Sequence, residues 1–149
     1  MDSNLSGGIP AFAVKEPGVN SGFMIVQYTD AALVSQNKTL CYPASATSIP
    51  VSANQEDFVS MAPNACMKLH TICWNLSRII GIELISSSQS LEFRDKEKLG
   101  ATGKKINDLV GSVFSPMVID RSIQKEIELV GDMVLKGKFS NLLPLGVIL

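Results

Sequence analysis

Apolar residues begin to recur at helical spacing at Gly22: Phe23-Met24-Ile25-Val26-Gln27-Tyr28, then Ala31-Ala32-Leu33-Val34. This pattern predicts a helix capped by Asn20 or Ser21 and ending near Asn37-Lys38. Residues 1–21, rich in Gly, Pro, Ser and Asn, read as loop. Residues 39–53 carry Pro43, Pro50 and many Ser, Thr and Ala, and read as an irregular connector. Helix is predicted again from about Asn54, perturbed at Pro63, running from Asn64 to about Phe93. Between Leu69 and Glu92 the charges are Arg78, Glu83 and Glu92 alone, and apolar residues go most of the way round. Such a helix belongs inside a bundle, and Gly81 and Ser86-Ser87-Ser88 would let neighbouring helices come close.

The pattern then changes. Glu92-Phe93-Arg94-Asp95-Lys96-Glu97-Lys98 is charged, and Gly100 and Gly103 mark an exposed turn. Lys104 to Val113 reads as a short amphipathic helix, with Pro116 ending that segment. Ser122 is a candidate cap for a last helix, whose stripe Ile123, Ile127, Val130, Val134 follows i, i+4, i+7, i+11 spacing. The end, Leu142 to Leu149, is uncharged; it packs on a partner or reflects an altered reading frame. The resulting division is loop over 1–21, core helices over 22–94, and peripheral helices and tail over 95–149, within one all-α region.

A chain of 149 residues can bury a core. Its charged fraction of 18% is low beside 46% apolar residues, suggesting surface meant to be covered by partner subunits or further chain. A net charge of −1 offers no electrostatic case for binding nucleic acid or an anionic membrane. No signal-peptide pattern and no transmembrane-length apolar run occurs, so a cytoplasmic location is expected.

Cys41, Cys66 and Cys73 are expected to be buried free thiols. Cys66, His70 and Cys73 could share a helix face, but their spacing matches no common zinc-ligand pattern, so no metal is expected. His70 itself is expected to be a satisfied core histidine. Gly100-Ala101-Thr102-Gly103-Lys104-Lys105 departs from a phosphate loop in glycine spacing and in lacking the Ser or Thr after lysine. Asn4-Leu5-Ser6, Asn37-Lys38-Thr39 and Asn75-Leu76-Ser77 match the glycosylation pattern by chance, there being no secretory signal. Arg78 and Glu83, about 140° apart round a helix, are each expected to pair with a different neighbouring helix.

The run Ser52-Ala53-Asn54-Gln55-Glu56-Asp57 is the most informative polar stretch. Its carboxylates either sit at a helix start, where the macrodipole favours them, or form the wall of a buried site. Capping alone needs one carboxylate, and the residues themselves leave both readings open.

Several separated motifs resemble the aromatic amino acid ammonia-lyase family. Pro17-Gly18-Val19-Asn20-Ser21-Gly22-Phe23-Met24-Ile25-Val26-Gln27-Tyr28 is similar to the start of a central helix of that family. Ser48 to Pro63 is similar to its signature C-terminal segment, and Ile82-Glu83-Leu84 with Gln89-Ser90-Leu91-Glu92-Phe93-Arg94 to the end of the next core helix. The similarity runs from about Ser6 to Lys136 and weakens after Arg94. It is greatest to histidine-directed members, which eliminate ammonia from L-histidine to give urocanate. The resemblance implies a long-helix bundle forming the C-terminal part of a larger helical lyase, a homotetramer whose active sites draw on several subunits. It implies a methylidene-imidazolone electrophile made from an internal Ala-Ser-Gly, and a tyrosine base. It makes Glu56 the substrate-facing carboxylate with a part in catalysis, and Met24 a residue flanking the substrate side chain. Phenylalanine-directed relatives usually carry glutamine at the position of Glu56.

The departures carry equal weight. The chain contains no Ala-Ser-Gly, so no cofactor is expected within it, and neither Tyr28 nor Tyr42 stands at the base position. Phe58 stands where many histidine-directed members have histidine, which leaves tyrosine or phenylalanine as alternative substrates. The chain is expected to be the C-terminal third of a lyase. It either works with other lyase subunits or a missing N-terminal region on an amino acid substrate, or is a non-catalytic fragment that only packs on lyase subunits.

Overall fold

The computed structural model describes residues 2–46 and 48–143, and among them it is all-helical apart from turns and two isolated backbone bridges. Four α-helices follow one another: α1 Met24–Leu40, α2 Ala62–Ser90, α3 Ala101–Gly111 and α4 Gln124–Leu135. The 29-residue α2 is the axis, about 44 Å long at the usual rise. α1 and α4 pack along it, and α3 touches it. No helix among the described residues is long and apolar enough to cross a membrane. The uncharged tail falls mostly in 144–149, outside the described residues.

The core gathers Phe23 and Val26 of the α1 region, Ile82 and Ile85 of α2, and Val110, Phe114, Met117, Ile123 and Val130 of the later segments. Phe23 and Phe114 meet edge to face, ring centroids 6.4 Å apart, a favourable alignment of aromatic quadrupoles. The α4 stripe emerges as its spacing predicts: Ile123 and Val130 are buried, Ile127 packs against the core and Val134 is half-buried. Gly81 is indeed a point of close helix approach, against Gly131 of α4. Arg78 pairs with another helix as its burial demands, its guanidinium 3.0 Å from the Asp132 carboxylate and stacked 3.7 Å over the Trp74 ring.

Several expectations are corrected. Helix does not resume at Asn54; it starts at Ala62, and Pro63 opens α2 rather than interrupting it. A helix running through from Asn54 would need an N–H at position 63 for the Val59 carbonyl, which proline lacks. That carbonyl instead accepts from the Ser48 hydroxyl at 3.3 Å, while proline suits the first helical turn. Glu56 and Asp57 are therefore not helix-start carboxylates.

The apolar belt of α2 is buried only in its second half. Met67 and Leu69 remain 65% and 60% exposed, because α4 crosses further along. For the same reason Cys66, His70 and Cys73 are exposed rather than buried, as is Cys41 at the end of α1; all three thiols are free. Among the described residues Glu83 has no ion-pair partner; it faces Asp30 of α1, a like charge that joins burial in raising the Asp30 pKa. Ser122 precedes the N-cap of α4, Ile123, and its hydroxyl accepts the N–H of Gln124, the first helical residue, at 3.5 Å. The Gly100 region is no loop: Gly100 precedes α3 and Gly103 lies inside it.

Candidate functional site

Glu56 lies at the closing end of a tight loop between α1 and α2. The base of the loop is held by Ser48, whose hydroxyl receives the Val59 N–H at 2.8 Å. Further out, Val51 and Glu56 exchange backbone hydrogen bonds of 3.0 and 3.3 Å. At the tip, Ser52, Ala53 and Asn54 all adopt left-handed backbone, φ 55°, 55° and 65°. Left-handed geometry costs an ordinary L-residue about 1–2 kcal/mol, so this tip is strained at Ser52 and Ala53, while asparagine tolerates it better. Residues held in such conformations concentrate at functional sites. The Glu56 side chain is exposed and enters none of the ion pairs among the described residues. Beside the loop a hollow of about 350 Å³ is lined by Phe58, Val59, Ser60 and Met61 against Pro43, Ala44 and Ser45.

Met24 is the first residue of α1 and is half-buried. Neither Met24 nor Glu56 lines a described cavity, and no hydrogen bond joins them; this chain by itself does not bring the two together into a closed site.

The start of α1 is built unusually. Its N-cap, Phe23, supplies no side-chain acceptor, and the predicted caps Asn20 and Ser21 do not act. The carboxylate of Asp120 instead holds the two residues before the cap, receiving the N–H groups of Ser21 at 2.7 Å and Gly22 at 2.8 Å. Those two bonds hold the Asp120 carboxyl below the usual carboxylate range. The Phe23 N–H goes to the Phe12 carbonyl at 3.0 Å. Gly22 is left-handed and packed so tightly that a Cβ there would lie 2.5 Å from Val14 and 2.7 Å from the Phe12 carbonyl. Gln89, 1% exposed, ties the same region together, donating to the carbonyls of Ala13 and Met117 and accepting from the Met117 N–H at 2.7 Å. Sequence reasoning overlooked Asp120 and Gln89; their partners lie far away along the chain, and no local spacing signals them.

Alongside this clamp a cavity of about 740 Å³ opens between α1, α2 and the 117–128 segment, walled by Ile25, Leu33, Trp74, Arg78 and Ile127. Among the described residues no group of three or more His, Cys, Asp or Glu is placed to hold a metal ion.

Comparison with known proteins places these features in context. The family model for aromatic amino acid lyases matches residues 1–112. The chain is 42% identical over 138 residues to a histidine ammonia-lyase of Natranaerobius thermophilus, covering 93% of this chain and 27% of that protein. The crystal structure of histidine ammonia-lyase from Trypanosoma cruzi superposes with a TM-score of 0.88 at 41% identity, over 95% of this chain and 28% of that one. A tyrosine aminomutase from Streptomyces globisporus superposes with a TM-score of 0.87 at 30% identity, over 95% of this chain and 27% of that one. The chain thus spans between a quarter and a third of the length of these relatives. With a family match over most of its residues and the same fold in solved lyases, the chain belongs to the aromatic amino acid lyase family.

Proposed function

We propose that this chain supplies the Glu56-bearing wall of an ammonia-lyase that eliminates ammonia from L-histidine to give urocanate. The reading is carried by one observation: a carboxylate without an ion-pair partner among the described residues, presented on a strained loop, in a chain 42% identical to a histidine ammonia-lyase. In that elimination the β-proton is removed, the C–N bond to the amino group breaks, and a carbon–carbon double bond forms. The ionised Glu56 accepts a hydrogen bond from the imidazole N–H or the ammonium of the substrate, a charge-assisted contact that orients the group. Met24 flanks the side chain. The residues present do not fit the family's methylidene-imidazolone, since no Ala-Ser-Gly occurs among the 149 residues. That group, the base and the substrate-carboxylate partner come from polypeptide outside this sequence, and the assembled enzyme works in the cytoplasm as a tetramer.

The test is a chimera in which these 149 residues replace the matching stretch of the Trypanosoma cruzi enzyme, followed by urocanate absorbance. Glu56→Gln is expected to lower kcat/KM for histidine by about 10- to 100-fold without altering assembly, the worth of one charge-assisted hydrogen bond. Unchanged histidine kinetics would overturn the assignment. Preferred turnover of tyrosine or phenylalanine by the unsubstituted chimera would move the substrate to those amino acids, a reading favoured by Phe58.

A second reading, a non-catalytic chain that packs on lyase subunits, is favoured by the missing Ala-Ser-Gly and by the exposed Met67, Leu69, Trp74 and Leu76. It expects the isolated chain to form no urocanate and to bind a lyase lacking this stretch without restoring turnover.

A further inference from the structure

We infer that Asp120 is a positioning residue for the proposed lyase reaction: it holds the backbone leading into α1, and with it the substrate-flanking Met24, in place from 98 residues away along the chain.

The first N–H groups of a helix have no partner inside it and must find one elsewhere. At the head of α1 the N-cap Phe23 and the first helical residue Met24 have such partners, and the two residues before them, Ser21 and Gly22, are held from outside the helix. Ser21 and Gly22 donate to Asp120, Phe23 donates to the Phe12 carbonyl, and Met24 donates to the Ser21 carbonyl at 3.1 Å. Of these acceptors Asp120 alone is a charged side chain, and it stands at the positive end of the α1 dipole. Its two oxygens are both used, one on each N–H, which fixes the plane of the carboxylate as well as its distance.

The rest of the turn is packed so that it can shift only as a block. Phe23 is fully buried against Phe114, and Gly22 has no room for even one more carbon. Gln89 anchors both sides of the block, holding Ala13 on the N-terminal arm and Met117 on the segment that carries Asp120. Asp120 is thus the one exposed, electrostatic contact in an otherwise packed joint. Its loss releases the helix start without emptying the core. The consequence falls on Met24, one residue beyond the clamped Phe23, and so on how the substrate side chain is seated. This role rests on the lyase reading proposed above. It differs from that of Glu56, because Asp120 is argued to act through the backbone and never to touch substrate.

Two measurements test it. In the 149-residue chain, amide exchange at Ser21 and Gly22 is compared between the wild type and Asp120→Asn, which keeps one acceptor oxygen, and Asp120→Ala, which keeps none. Protection is expected to fall stepwise across the three; equal protection overturns the clamp whatever the chain's activity. In the chimera with the Trypanosoma cruzi enzyme, Asp120→Ala is expected to raise KM for histidine about tenfold while kcat changes by less than about threefold, with Asp120→Asn between. Altered amide exchange with wild-type KM and kcat overturns the positioning role and leaves the lyase reading standing. An assembled wild-type chimera that turns over no histidine overturns the lyase reading, and the positioning role with it.

Discussion

Gly81 of α2 and Gly131 of α4 face each other where the two helices cross: a Cβ on Gly81 would lie 3.0 Å from the Gly131 backbone nitrogen, and one on Gly131 would lie 3.3 Å from the Ser77 carbonyl. Two helix backbones meet with no side chain between them. The approach brings Arg78 within reach of Asp132 one residue further on, so the crossing also sets their ion pair.

Gly81→Ala should therefore destabilise the chain by about 1–2 kcal/mol despite the better helix propensity of alanine, because the obstacle is backbone rather than a flexible side chain. Gly111→Ala is the control. That helical glycine faces open space, and its replacement should be neutral or stabilise by up to about 1 kcal/mol. Urea unfolding of both variants checks the contrast.

Asp132→Ala should leave the Arg78 guanidinium, whose side chain is 9% exposed, with only Ser77 and the Trp74 ring as partners. Asp132 is itself half-exposed, so the expected loss is about 2 kcal/mol, short of that for a fully buried pair. Replacing both partners, Arg78→Met with Asp132→Ala, should recover part of it in a double-mutant cycle.

Acid should dissolve the Asp120 clamp. The carboxyl titrates below its ordinary value of 3.8 when folded, so its contribution is complete above that value and is lost as pH falls through the depressed folded value. The stability difference between wild type and Asp120→Asn should stay constant from neutral pH down to about 4 and shrink below it; thermal melts across that range measure it.

Asp30 should behave in the opposite sense. Burial and the facing Glu83 raise its pKa, and one of its carboxylate oxygens is buried without a partner among the described residues. A raised carboxyl holds its proton more firmly in the folded state, so stability rises as pH falls from neutral through the raised value. Asp30→Asn should raise the thermal midpoint at pH 7 by about 1–3 °C and remove that slope.

Cys41, Cys66 and Cys73 are all exposed. In the native 149-residue chain all three should react with a thiol reagent without denaturant, and burial of Cys66 or Cys73 on mixing with a lyase lacking this stretch would register as lost reactivity.

Much of this was legible in the sequence because helices and their buried faces are local properties. A period of 3.6 residues placed α1 within two residues at its start and found the α4 stripe, and Gly81 and Arg78 announced a close neighbour and a needed partner by their residue types alone. The ordered motifs from Pro17 to Arg94 placed the chain in its family. Tertiary structure decided the rest, because the deciding partners are remote. The residues leading into α1 are held by a carboxylate 98 residues away. The expected helix at Asn54 gives way to a left-handed turn closed by Val51, Glu56 and Ser48. The thiols of Cys66 and Cys73 lie open because α4 crosses α2 beyond them. Local spacing determines which way a side chain faces on its helix; only the packing of one helix on another determines what it meets there.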